Sequence, residues 1–107
     1  MVSEYEASMR ELRPRHTCIR QVLDMDDGYI VLENSYKFPT NASNLYKVDY
    51  DFQPVWDAEV RKLGIGTDHY ANFVFIQGKN LSCAGGVGDT YTIDPKTGKI
   101  LKAEYTK

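Results

Sequence analysis

The chain has 107 residues, and what it lacks excludes whole classes of protein. It holds two cysteines, Cys18 and Cys83, and no CxxC pair. His16 and His69 are its two histidines, so a closed four-ligand zinc site would consume all four residues, and no ligand spacing joins them. No apolar run approaches the roughly 20 residues that cross a bilayer. The opening MVSEYEASMRELRPR has no apolar core of a secretory leader. The expected setting is cytoplasmic, without a membrane, and with both thiols free and buried.

Recognisable catalytic and ligand motifs are also missing. Gly85-Gly86-Val87-Gly88-Asp89 is neither GxGxxG opening a helix nor a P-loop, and a strand pattern follows it, so it reads as an inter-strand loop. Asp24-Met25-Asp26-Asp27-Gly28 begins like a calcium loop. Ser35 stands where the twelfth-position Glu belongs, so the segment reads as a hairpin turn. Asn41-Ala42-Ser43 and Asn80-Leu81-Ser82 fit a glycosylation sequon, which carries no weight without a secretion signal. A Cys83–His69 dyad and the His16-x-Cys18 pair are the nearest approaches to a reactive or metal-binding set, and neither has the further partners it needs. Asp57 and Glu59 fall on the face opposite Trp56, towards solvent. The expectation is a protein that is not an enzyme and uses no cofactor or metal.

What is present is a core-forming composition, 42% hydrophobic and 12% aromatic, enough for one domain spanning 1–107. The net charge of −2 conceals an asymmetry. Residues 21–60 carry eight acids against Lys37 and Lys47, a balance of −6, whereas residues 61–107 carry seven bases against four acids. An acidic middle disfavours nucleic acid and favours a basic partner.

Along the chain, Ser3 and Glu6 form a capping box, and Tyr5, Met9 and Leu12 recur at helical spacing until Pro14. A short helix within residues 1–14 follows, docking that stripe on the rest of the domain. From there the pattern is β. Thr17–Asp24, Tyr29–Asn34, Asn44–Tyr50 and Pro54–Val60 form one set of strands. Ala71–Gln77, Asn80–Ala84, Asp89–Asp94 and Lys99–Tyr105 form a second. Turn residues between them (Asp26-Asp27-Gly28, Gly78-Lys79, Pro95-Lys96-Thr97-Gly98) leave loops too short for parallel crossovers. The fold class is mainly β: about eight antiparallel strands in two four-stranded blade-like units, 15–60 and 61–107, forming a sandwich or partly open barrel.

The two sets repeat. Tyr46-Lys47-Val48-Asp49 stands 45 residues before Tyr91-Thr92-Ile93-Asp94, and Val55–Val60 aligns without a gap on Ile100–Tyr105 at the same spacing. The alignment makes Val55 and Ile100 equivalent, with Trp56, Ala58 and Val60 sharing one face and Leu101, Ala103 and Tyr105 another. The run Asp89-Thr90-Tyr91-Thr92-Ile93-Asp94-Pro95-Lys96-Thr97-Gly98-Lys99-Ile100-Leu101 resembles the third and fourth strands of a blade in pyrroloquinoline-quinone-type β-propellers. The first copy keeps the family's Trp as Trp56 without Thr-Gly-Lys; the second keeps Thr-Gly-Lys with Leu101 in place of the Trp. Two blades do not close a propeller, so the resemblance implies fold alone, with neither quinone nor metal carried over. Assembly of blades into an oligomeric ring is the alternative to a self-contained pair.

Aromatics mark the irregular segments: Tyr36 and Phe38 in the Ser35–Ser43 loop, Tyr50 and Phe52 around Asp51. With Asp24, Asp26, Asp27, Asp49 and Asp51 they form the expected partner-binding set. The function this implies is a non-catalytic protein-binding protein of immunity or inhibitor type. It would mask the basic surface of a toxin such as a nuclease, acting as a monomer or small homo-oligomer. The alternative is a small-ligand-binding or regulatory β module with a pocket between the sheets.

Overall fold

Strand-forming alternation, rather than any single motif, organises the chain. A computed structural model describes residues 12–63 and 66–105. Ten strands form antiparallel sheets, and among the described residues there is no helix. The helix expected within residues 1–14 falls, up to residue 11, outside the described residues, and residues 12–14 are not helical. Leu12 is buried.

The first sheet is the meander β1 (Ile19–Met25), β2 (Gly28–Glu33), β3 (Leu45–Val48) and β4 (Pro54–Asp57), paired in chain order. A two-stranded ribbon follows, β5 (Arg61–Lys62) with β6 (Thr67–Asp68), in the stretch between the two expected sets of strands. The second sheet repeats the meander with β7 (Phe75–Gln77), β8 (Asn80–Ala84), β9 (Asp89–Ile93) and β10 (Ile100–Tyr105). Both sheets are open, so neither closes into a barrel.

Period-two alternation gives the first sheet two apolar faces, because β2 and β3 are buried along their whole length. One face, with Leu23, Met25, Ile30, Leu32, Leu45 and Trp56, meets Tyr70, Val74, Leu81, Cys83, Tyr91 and Ile93 in a shared core. The other face, with Val22, Tyr29, Val31, Tyr46 and Val48, gathers around Leu12. In the second sheet, Leu81, Cys83, Tyr91 and Ile93 face the shared core, whereas Ser82, Thr90 and Thr92 point away from it.

Polar side chains join the halves. The Asn44 amide donates to the Tyr70 carbonyl at 2.7 Å and accepts from the Tyr70 N–H at 2.9 Å. Gln21 does the same with Val74, at 2.7 and 2.8 Å. Two side-chain amides thus act as strand partners for the segment that leads into the second sheet. Farther along, the Trp56 indole donates to the Pro95 carbonyl at 3.0 Å. The Glu59 N–H bonds the Gly98 carbonyl at 2.8 Å, and its carboxylate accepts from the Ile100 N–H at 2.9 Å. The β9–β10 turn is therefore held by the end of the first sheet. A Cβ on Gly98 would stand 2.5 Å from the Trp56 ring, and its φ of 75° is one that glycine adopts freely.

The pairing corrects the gap-free repeat by one residue. Val48 faces Pro54 and Ile93 faces Ile100, and in each pair the register then slips by one, at Val55 and at Leu101. Ile100 is thus the counterpart of Pro54, and Leu101 that of Val55. The cause lies in the turns. Asp49 receives the Phe52 N–H and the backbone turns left-handed at Phe52 (φ 64°), three residues on. Asp94 receives the Gly98 N–H, with the left-handed residue four positions on. Trp56, Ala58 and Val60 do share the core, but Leu101, Ala103 and Tyr105 are all exposed on the edge strand β10.

Candidate functional site: the acidic end of the first sheet

In a four-stranded meander the first and third turns share one end of the sheet. The Asp26-Asp27 turn of β1–β2 and the Asp49–Gln53 turn of β3–β4 accordingly lie side by side, and the expected partner-binding set divides here. Seven of its residues, Asp24, Asp26, Asp27, Asp49, Tyr50, Asp51 and Phe52, belong to this end. Tyr36 and Phe38 belong to the opposite end, in the β2–β3 loop.

Gly28 permits the close approach of the two turns: a Cβ there would stand 2.1 Å from the Val48 carbonyl oxygen. Tyr50 crosses from one turn to the other. Its hydroxyl donates to the Met25 carbonyl and lies 3.1 Å from an Asp24 carboxylate oxygen, and its ring meets Tyr29 edge-on at 5.0 Å. Phe52 packs at 6.1 Å from the Tyr29 ring. Tyr50 remains 47% exposed, a half-open aromatic among five carboxylates.

The five acids are not equivalent. Asp49 accepts the N–H groups of Asp51 and Gln53, both at 2.9 Å, so its carboxylate builds the turn. Asp27 pairs with the buried Lys47 ammonium at 2.7 Å. The hydrogen bond from Lys47 is the main reason that its carboxyl sits below the ordinary range. Among the described residues, Asp26 and Asp51 have no side-chain partner, and Asp24 meets only Tyr50. The outward negative charge is carried by Asp24, Asp26 and Asp51.

The opposite end has a different character. Phe38 is buried, wedged between the His16 ring at 5.0 Å and the His69 ring at 5.5 Å. Nε2 of His69 lies 3.2 Å from the Pro39 carbonyl and 3.1 Å from that of Ala42, so it carries the proton and staples the loop. Phe38 therefore serves packing rather than a partner-binding surface. Tyr36 is 75% exposed.

Carboxylates away from this end serve the fold. Glu33 accepts the N–H groups of Arg15, His16 and Thr17 at 2.6, 3.1 and 3.0 Å and the Tyr46 hydroxyl. Burial opposes its ionisation, but these donors outweigh burial and hold its carboxyl below the ordinary range. Asp68 plays the corresponding part in the second half, accepting from Gly86 and Val87 at 2.9 and 3.2 Å and from the Tyr91 hydroxyl. The glycine loop is thus already filled by a carboxylate of its own chain. Burial pushes the Cys83 thiol up to about 12, and it bonds the Asn72 carbonyl at 3.0 Å rather than His69. A thiol so held is not a nucleophile. Cys18, expected to be buried, is exposed at the start of the first sheet. Among the described residues, no three His, Cys, Asp or Glu side chains are placed to hold a metal ion.

Side chains of the shared core occupy the space between the sheets. Cavities that open elsewhere include one of about 430 Å³ on the outer face of the second sheet between Phe75, Thr92 and Lys102, and another of about 290 Å³ beside Leu12 and Tyr46. Among the described residues, no helix is long and apolar enough to cross a membrane. Searches against protein-family models, curated proteins and solved structures find no match to this chain.

Proposed function

We propose that this protein is a non-catalytic binding protein that uses the acidic end of its first sheet to cover a basic surface on a protein partner, in the manner of an immunity or inhibitor protein. The supporting observation is the gathering of Asp24, Asp26 and Asp51 around the half-exposed Tyr50 on two abutting turns. Clustered charge steers a complementary partner and raises its encounter rate. A rigidly held tyrosine supplies contact area with little loss of side-chain entropy. A nuclease fits as partner because its substrate-binding surface is built to accept phosphates, and carboxylates can stand where phosphates would. The blade-like pairing of two meanders would make the protein a rigid wedge presenting this end.

The test begins with affinity capture from the native host, using the wild type and an Asp26→Lys/Asp51→Lys variant. These two acids carry the test because Asp49 and Asp27 support the fold. The captured protein is purified, its association rate measured at low and high salt, and any nucleic-acid cleavage assayed with and without the inhibitor. The expected outcome is a basic protein whose association slows roughly tenfold or more in the variant and with added salt. Association indifferent to both changes would remove the acidic end from consideration.

A further inference from the structure

Strand β10 is the longest strand edge of the second sheet that no described strand covers: it pairs with β9 on one side only. Its sequence is self-complementary about Ala103. Lys102 and Glu104 flank Ala103 with opposite charges, and Leu101 and Tyr105 flank that pair with apolar side chains, 55% and 67% exposed. Lys102 and Glu104 lie on the outer face of the sheet, beside Thr92 and Thr90. Ala103, opposite Tyr91, lies on the other face.

An antiparallel strand pair related by a two-fold axis places residue i opposite the residue equidistant beyond the axis. With Ala103 on the axis, Lys102 of one copy stands opposite Glu104 of the second, and the reverse holds two residues away. Both cross-strand pairs are then opposite in sign. The same operation brings Leu101 of each copy towards Tyr105 of the other. A shift of the axis by one residue in either direction destroys the charge match. The ion pair that Lys102 and Glu104 make within the strand is available for exchange, since both side chains are more than half exposed.

We propose that β10 is a homodimerisation edge, joining two second sheets into one eight-stranded antiparallel sheet centred on Ala103. Eight strands lie within the ordinary size of open sheets. The register slip at Leu101 limits the flat stretch to a few residues. The contact is therefore smaller than the roughly 1,200 Å² of a stable interface, and the dimer is weak and concentration-dependent. It uses none of the residues of the acidic end of the first sheet, so dimerisation does not rest on the partner proposed above.

Charge reversal provides the test, read by sedimentation velocity from about 10 μM to about 1 mM, where weak contacts of this kind populate. The wild type is expected to dimerise with rising concentration. Lys102→Glu and Glu104→Lys each place like charges opposite one another and should remain monomeric, while the double variant Lys102→Glu/Glu104→Lys should recover the dimer. Mixing the two single variants is decisive, because one then carries two acids and the other two bases at facing positions. The mixture should form a heterodimer that neither forms alone. A wild type that stays monomeric throughout this range, or single variants that fail to associate on mixing, would overturn the assignment. Circular dichroism of each variant reports whether the sheet is intact, and these exposed positions are expected to leave it so.

Discussion

The side-chain amide of Asn44 pairs with both backbone groups of Tyr70, at 2.7 and 2.9 Å, in a fully buried site. It takes the place of a missing strand partner where the chain passes from the first half to the second. Asn44→Ala would leave a donor and an acceptor of Tyr70 without a bond, each costing about 1–3 kcal/mol. The expected loss is about 3 kcal/mol by urea denaturation. Gln21→Ala, at a partly exposed site with the same pattern, should cost about half as much.

Much of the strand layout was legible, and the reason is visible in particular residues. Leu81, Cys83, Tyr91 and Ile93 alternate with Asn80, Ser82, Thr90 and Thr92, so period two alone identified β8 and β9. The β5–β6 ribbon was not legible, because Arg61-Lys62 and Thr67-Asp68 carry no apolar alternation. Nor were the roles of Asn44, Gln21, Glu33 and Asp68: their chemistry is that of surface residues, and only tertiary placement turns them inward. At the candidate site, the acids were visible in the composition. Which of them were engaged in turn-building or ion pairing depended on backbone geometry that no local pattern encodes. Phe38 read as an interaction residue because it sits in a long loop, yet two histidines distant in sequence close over it.

Phe52 tests the turn that offsets the repeat. Its φ of 64° places a bulky residue in the left-handed region, at a cost of about 1–2 kcal/mol. Phe52→Ala loses the contact with Tyr29 and keeps the strain; Phe52→Gly loses the same contact and relieves it. Glycine's greater freedom in the unfolded chain offsets part of that relief. The glycine variant should therefore be the more stable of the two by about 0.5–1 kcal/mol, measured by thermal and chemical denaturation side by side.

Glu33 should dominate acid sensitivity. Its carboxyl lies below the ordinary range when folded, so the folded protein binds this proton less readily than the unfolded chain. Its stabilising contribution is complete above the unfolded value of about 4.3 and is lost as pH falls through the lower folded value. Urea midpoints measured from neutral pH downwards should fall in that window. Glu33→Gln should lower stability at neutral pH by about 2 kcal/mol and flatten the decline.

Trp56 and Gly98 form one packing unit across the two halves. Trp56→Ala removes a large core aromatic and its bond to Pro95, and should cost about 3–5 kcal/mol. Gly98→Ala forces a methyl group into the indole ring and imposes left-handed backbone strain, so it should also destabilise, by about 2 kcal/mol. In the double variant Trp56→Ala/Gly98→Ala the steric part disappears. The two losses should then sum to more than the loss observed, a coupling that a double-mutant cycle measures directly.

The same contact gives the molecule an optical reporter. Trp56 is the single tryptophan of the chain, anchored on the first sheet with its indole N–H committed to the second. Its emission senses whether the two halves are together as well as whether its own sheet is folded. A red shift that precedes the loss of β signal in circular dichroism would mean that the halves part before they melt; coincident transitions would mean that the two meanders stand or fall as one cooperative body.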